Sequence, residues 1–312
     1  LKERPSIKKE TSSNRQLNVF SKTGALASII LVVSLMVIVI YWMAGESALE
    51  IRKAETLNRQ YVTYSGQRRK VVLKDGTQVW LNADSKLIPN QDFSTGTERE
   101  VSLSGEAYFK VASDAARPFI IHTQKLTVKV LGTELNIEAY PDDNKEVASL
   151  IKGSIQVSLS ADPGEKIILK PHEKVTVLNN AFLPQDQPYS KKENVIKETD
   201  KLLIGPLKID PLLDSGIVET AWMEGKLVFR NKTFIQLAQQ MDRWYNVDIH
   251  FSDSSVENYR FTGIFSTETI DQALQALKMT SPSDPFQYKI ENQEVLITQD
   301  KSKGTKRMKV SE

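Results

Sequence analysis

Lys70-Val71-Val72-Leu73-Lys74-Asp75-Gly76-Thr77-Gln78-Val79-Trp80-Leu81 decides the fold of this chain. Two apolar runs of alternating pattern flank Asp75-Gly76. A type I′ turn needs positive φ at both central residues, which Asp-Gly tolerates, so the stretch predicts a β-hairpin with a two-residue loop.

The same period-2 pattern continues downstream. Val101-Ser102-Leu103 leads to Gly105, and Ala107, Phe109 and Val111 alternate with Tyr108 and Lys110. Phe119 and Ile121 share a face. Leu126, Val128 and Val130 run up to Gly132, with Leu135, Ile137 and Ala139 beyond it. Ile155, Val157 and Leu159 follow Gly153, and the runs Ile167–Leu169 and Val175–Val177 flank Pro171. Short strands with Gly or Pro punctuation predict an all-β domain over residues 62–180, a sandwich, roll or short solenoid. Residues 181–218 read as a linker: Pro184, Pro188, Pro206 and Pro211 punctuate it and Lys191–Lys201 is charge-rich.

Residues 219–300 change character and repeat internally. In the first unit Lys226–Phe229 precedes a helix with Phe234, Leu237, Ala238, Met241, Trp244 and Tyr245 at helical spacing, and Val247–Phe251 follows. In the second, Phe261–Phe265 precedes a helix with Ile270, Ala273, Leu274 and Leu277 on one face, and Phe286–Ile290 follows. Both helices open on Thr-x-x-Gln, Thr233–Gln236 and Thr269–Gln272, the pattern of a capping box. Two tandem β-α-β units predict a small α+β domain with both helices on one face of a sheet, closed by a strand at Glu294–Thr298 paired across Asn292-Gln293. The Lys-rich tail 301–312 is expected to fray.

Upstream of the β domain lies Ala25–Ala44, ALASIILVVSLMVIVIYWMA, without charge or Pro. As a helix it covers about 30 Å, the hydrocarbon thickness of a bilayer. Tyr41 and Trp42 sit where an interfacial aromatic belt belongs, and no signal-peptide cleavage site follows. Lys2, Arg4, Lys8, Lys9, Arg15 and Lys22 precede the segment, whereas only Arg52, Lys53 and Arg59 follow it closely. The positive-inside rule therefore predicts a single-pass protein of the inner membrane: tail 1–24 in the cytoplasm, helix 25–44, spacer 45–61, and the bulk of the chain in the periplasm. Leu1 in the first position, with so short a tail, predicts truncation upstream.

Composition excludes several functions. The 312 residues carry 41 basic and 39 acidic side chains, a net charge of +2, with no concentration of basic residues expected of a nucleic-acid binder. The absence of Cys removes disulfides, thiolate catalysis and Cys-based metal sites. His122, His172 and His250 stand far apart, no phosphate-binding Gly-rich loop occurs, and the carboxylates read as solvated strand faces and turns. Trp80, Trp222 and Trp244 fall in apolar patterns and are assigned to the core. No metal site, cofactor or catalytic constellation is expected. A single spot has chemistry of its own: a Thr hydroxyl after Gly in a tight turn can attack the preceding carbonyl, which marks Gly132-Thr133. From the residues alone, a Gly that simply permits a bend or bulge is the better account of that spot.

Several stretches together resemble the FecR family. They are Val72–Leu87, the run Leu103-Ser104-Gly105-Glu106-Ala107-Tyr108-Phe109-Lys110-Val111, Arg117-Pro118-Phe119 and Val130-Leu131-Gly132-Thr133. Trp222–Phe229, Arg243-Trp244-Tyr245-Asn246-Val247 and Phe261-Thr262-Gly263 resemble the C-terminal domain that accompanies the family in Bacteroidota, which is similar to the small signalling domain of secretins and TonB-dependent receptors. The resemblance implies a transmembrane anti-sigma factor. It would relay a signal from the signalling domain of a TonB-dependent outer-membrane receptor to an extracytoplasmic-function sigma factor, with processing by a membrane-embedded protease, and so control transcription of genes for uptake of an iron chelate or glycan. Some relatives cut themselves at a Gly-Thr bond, which matches Gly132-Thr133, a single-turnover event rather than enzyme activity. The alternative is a membrane-anchored periplasmic structural or carbohydrate-binding β module. The cytoplasmic segment of the family is longer and largely helical; residues 1–24 depart from it, so either the sequence is truncated upstream or the chain does not bind a sigma factor in the usual way.

Overall fold

The computed structural model describes residues 31–42, 60–90, 93, 96–178, 202–281 and 286–300. The chain divides into two units, Leu1–Asn58 and Arg59–Glu312. In the first unit, residues 31–42 form helix α1, exposed along its length from Leu31 at 64% to Trp42 at 72%. The rest of the 25–44 segment, tail 1–24, spacer residues 45–59 and tail 301–312 lie outside the described residues. Among the described residues no helix is long and apolar enough to cross a membrane.

The β domain of the second unit is one sheet folded over on itself. Its pivot is β5 (Arg99–Lys110), read from the sequence as two runs but built as one long strand. The N-terminal half of β5 pairs with β4 (Ser85–Pro89) and, in parallel, with β6 (Phe119–His122). Its C-terminal half pairs with β3 (Gln78–Leu81) and β8 (Glu134–Ala139). Gly105 makes the bend. Its φ is +100°, and a Cβ there would sit 2.4 Å from Ser85 Oγ and 2.6 Å from Ser85 Cα, so only Gly fits.

Beyond β5 the chain alternates layers. In the first layer β1 (Tyr61–Thr63) pairs with β4, and β6 pairs with β7 (Leu126–Val130), which pairs with β10 (Ile155–Leu159) and that with β11 (Asp162–Leu169). In the second, β2 (Arg69–Val72) pairs with β3, and β8 with β9 (Lys145–Lys152), β12 (Glu173–Leu178) and β13 (Leu202–Pro206). Inward residues of both layers make one core, including Leu81, Leu87, Phe109, Phe119, Ile121, Leu135 and Ile137, all fully buried. Each such side chain contributes roughly 1.5–3 kcal/mol relative to exposure.

Four expectations change. The Asp75-Gly76 turn is not type I′: only Gly76 has positive φ, 85°, while Gly76 N donates to Leu73 O (3.0 Å) and Leu73 N to Thr77 O (2.8 Å). That is a β-turn centred on Lys74-Asp75 with a bulge at Gly76. Asp75 instead uses its side chain, accepting from Thr77 N and Thr77 Oγ1. The expected linker is ordered over part of its length: β13 pairs with β12, whose backbone edge would otherwise be open, and beyond it Leu207 and Leu213 are buried. Trp80 is not core; it faces outward against Tyr108, with ring centroids 5.6 Å apart, because its neighbours Val79 and Leu81 take the inward positions.

The fourth change is in the C-terminal domain. Its order is β14 (Leu227–Thr233), α2 (Phe234–Tyr245), β15 (Asp248–Phe251), β16 (Arg260–Phe265), α3 (Ile270–Thr280), β17 (Phe286–Glu291) and β18 (Glu294–Gln299), the expected repeat with the expected capping boxes. The strands, however, form two sheets. β14 pairs with β16, while β18 inserts between β15 and β17, parallel to the first and antiparallel to the second. With β18 taking the edge of β15, the two halves of each repeat separate. Phe234 ties them together, its ring lying 5.1, 5.1 and 4.9 Å from those of Phe251, Phe261 and Phe286.

Candidate functional site

Strand alternation that sends Ala107, Phe109, Leu135 and Ile137 inward sends Glu106, Tyr108, Asn136 and Glu138 to the outer face of the second layer. Glu106 and Glu138 are directly opposite in the antiparallel register. Like charges in that relation repel, so this face needs a partner. The C-terminal domain supplies it. A short 3-10 helix (Val218–Glu224), β14 and α2 cover the face and leave a partly open cavity of about 480 Å³.

The lid is held at several points. Trp222, 7% exposed, donates from Nε1 to Asn136 Oδ1 at 3.1 Å. Arg243 of α2 stacks on Tyr140, 3.9 Å from the ring centroid, and its two terminal nitrogens meet Asp142 and Asp143 at 2.9 Å each. Gly66 N donates to Arg243 O at 2.7 Å, and the Arg68 guanidinium lies 3.8 Å over Trp244. Lys174 and Glu219 pair at 2.6 Å. Bidentate and stacked arginines of this kind fix orientation as well as energy.

Charge inside the cavity is organised around the carboxylate pair. Glu106 accepts from Asn82 Nδ2 (2.7 Å) and Asn136 Nδ2 (2.9 Å). Burial, then the Glu138 charge, pushes its carboxyl up to about 7. Burial acts on Glu138 too, but Lys145, 3.1 Å away, with Lys232 and Arg243, outweighs it and holds Glu138 down to about 2. One carboxyl of the pair thus keeps its proton near neutrality while the other stays ionised. Burial brings Lys232 down to about 8, and burial with the neighbouring Lys174 lowers Lys208.

The sequence assigned these carboxylates to solvated faces and so missed them. The outward triplet Asn136-x-Glu138 and Asn82, Glu106 and Lys145 are polar as any solvated face is, and only the covering domain makes them a site. Arg243 was visible only as part of a resembling motif.

Gly132 and Thr133 lie elsewhere, at the corner where the chain passes from β7 to β8. Thr133 is buried and its Oγ1 donates to Ser154 O at 3.0 Å. A Cβ on Gly132 would meet Ser113 at 2.9 Å, and Gly153, with φ +99°, packs against both Thr133 Oγ1 and Gly132 O. The corner brings Ser113, Gly132, Thr133, Gly153 and Ser154 together, and the close packing accounts for Gly at 132 and 153. Of the histidines, His122 lies 3.4 Å from Glu100, and His250 forms an exposed trio with Asp248 and Glu294 on β15 and β18, 3.5 and 3.1 Å from the two carboxylates.

Residues 59–156 match the family model described as FecR protein, and residues 226–297 the model described as FecR, C-terminal. The first covers the two-layer strands through β9 and the first two residues of β10, and the second the α+β domain. Two crystal structures of a candidate anti-sigma factor from Parabacteroides distasonis ATCC 8503 superpose on this chain with TM-scores of 0.61 and 0.62 at 25% identity. The alignments cover 76% and 77% of this chain and 97% and 98% of theirs. No curated protein sequence matches.

Proposed function

The chain belongs to the FecR family, and from that premise we propose that it is a transmembrane anti-sigma factor. The observation that carries this reading is the joint match of residues 59–156 and 226–297 to the two FecR models, in an arrangement also found in the candidate anti-sigma factor of P. distasonis. In this proposal a single helix within 25–44 sits in the inner membrane. Its support is the run of residues 31–42, apolar and exposed all round as only lipid or a partner would tolerate. The N-terminus faces the cytoplasm and an extracytoplasmic-function sigma factor. The unit Arg59–Glu312 faces the periplasm and the signalling domain of a TonB-dependent receptor, and a membrane-embedded protease transmits the signal by cutting the helix.

Two domains latched over a charged cavity suit a relay: a receptor domain that competes for the lid, or clamps it, changes the exposed surface without unfolding either core. The test is co-expression of the full chain with the sigma factor and receptor encoded nearest to its gene. The sigma factor should co-purify with the chain and its reporter should be silent until the receptor is stimulated. A reporter equally active with and without the chain sinks the proposal. Self-cleavage at Gly132-Thr133 would divide the chain between the layers, with β8 still held by β5 and β9. Intact mass of the full chain reads this directly, Thr133→Ala restoring a single species if the junction reacts.

A further inference from the structure

We propose that the cavity between the β domain and the C-terminal domain binds a small anionic solute, a carboxylate- or phosphate-bearing molecule gripped by Lys232 and Lys208. This goes beyond the regulatory reading above and does not depend on it.

The lining is rich in cations, and most are already neutralised. Lys145 pairs with Glu138, Lys174 with Glu219, Lys226 with Glu224, and Arg243 with Asp142 and Asp143. Lys232 and Lys208 also line the cavity, and among the described residues neither ammonium group has an ion-pair partner. Glu138 and Asp143 attract Lys232, and Glu219 and Glu138 attract Lys208, but Lys145, Arg243 and Lys174 oppose them; a buried ammonium with no direct ion pair is costly, and a ligand anion would relieve it. Burial already weighs against the charged form of both side chains.

Two further groups point at a ligand. Ser149 lines the cavity, is 1% exposed, and its hydroxyl has no hydrogen-bond partner among the described residues. Gln240 Oε1, from α2, is likewise buried and unpartnered among them. A native structure seldom leaves such groups unmet. Ser149 can donate to an oxyanion and Gln240 can accept from a ligand hydroxyl, so the complement is an oxyanion that also carries O–H. The volume of about 480 Å³ lies within the range of small-molecule sites. Ser149 belongs to β9 and Lys232 and Gln240 to the C-terminal domain. A bound anion therefore bridges the two domains and favours the latched arrangement by mass action.

The experiment is isothermal titration of the full-length chain in detergent with sodium glucuronate and, separately, with inorganic phosphate, at fixed pH and chloride. Saturable binding of at least one probe at one site per chain is expected, and the probe that binds identifies carboxylate or phosphate as the preferred head group. Lys232→Gln should weaken it at least tenfold, Lys208→Gln should weaken it measurably, and Lys289→Gln, on an exposed strand, should leave it unchanged. Absence of saturable binding by both probes overturns the proposal, as does binding that survives both cavity variants unaltered. Because no receptor or sigma factor is present, the result stands apart from the fate of the anti-sigma reading.

Discussion

Asp75 Oδ2 and Arg99 Nη1 meet at 2.7 Å with side chains only 3% and 1% exposed. The pair joins the first hairpin to the start of the pivotal strand β5. Arg99 also donates from Nε to Arg117 O and from Nη1 to Ala112 O, while Asp75 caps its own turn through Thr77. The buried guanidinium is thus served at Nε and Nη1 and lies 5.5 Å over the Phe119 ring, while its Nη2 has no hydrogen-bond partner among the described residues.

Asp75→Ala removes the countercharge and leaves Arg99 buried and uncompensated. Loss of one partner of a buried pair costs about 3–5 kcal/mol. Urea unfolding of the full chain, followed by Trp fluorescence, should show a loss of that order, whereas Asp114→Ala, at a more exposed pair with Arg117, should cost distinctly less. Equal effects of the two variants would refute the structural weight given to Asp75.

Gly105→Ala tests the bend in β5. The added methyl would overlap Ser85 backbone and side chain at 2.4–2.7 Å, at a φ of +100°. The neighbour is main chain and cannot turn aside, so a loss of several kcal/mol, or failure to fold, is expected. Gly76→Ala provides the comparison: its φ of +85° carries conformational strain but nothing lies within 4 Å of the new methyl, so a cost nearer 1 kcal/mol is expected. Thermal melts by circular dichroism rank the two.

The sequence made local features legible and left long-range ones hidden, for a physical reason. The capping boxes at Thr233 and Thr269 involve residues three apart, so Thr-x-x-Gln predicts them and the structure has both. The inward residues of each strand follow from alternation. The turn at Asp75-Gly76 was located correctly but given the wrong type: Asp75 serves Thr77 within the turn and Arg99 from 24 positions away, and the second of these contacts is not legible locally. The two-sheet arrangement of the C-terminal domain depends on β18 choosing the edge of β15, and nothing in either strand announces that choice. The cavity was invisible for the same reason. Trp222 and Asn136 are separated by 86 positions, and Glu106 reads as an ordinary outward residue until a second domain covers it.

Trp222→Phe should loosen the latch while sparing both cores. The ring is retained, but Asn136 Oδ1 loses its donor in a buried place, a cost of about 1–3 kcal/mol. Arg243→Ala removes the Tyr140 stack and two ion pairs and should undock the domain more fully. Hydrogen exchange of the full chain separates docking from folding: amides near Gly66 and the 3-10 helix should lose protection in both variants, while those of β5 and β8 keep theirs. Uniform loss across the β domain would mean that the interface is part of one cooperative core and not a latch.

Stability should fall as pH rises between about 4.5 and 7, and Glu106 should account for part of the fall. An acid raised by folding releases its proton from the unfolded chain first, so in that window the folded state holds more protons and each increment of pH favours unfolding. Below the window both states are protonated and nothing is lost; above it the penalty is complete. Asp242, pushed up to about 7 by burial, adds to the fall with the same sign. Lys232 acts elsewhere: a base lowered to about 8 by burial penalises the fold fully below that pH and recovers only as pH climbs toward 10.5. Between pH 5 and 7.5 the difference between the natural chain and Glu106→Gln therefore isolates Glu106. The variant resembles the protonated carboxyl, so it should match the natural chain near pH 5 and exceed it by on the order of 1–2 kcal/mol near pH 7.5. Urea midpoints at the two pH values measure this. A variant less stable at both, by the same amount, would show that Glu106 acts through its hydrogen bonds to Asn82 and Asn136 and not through its charge opposite Glu138.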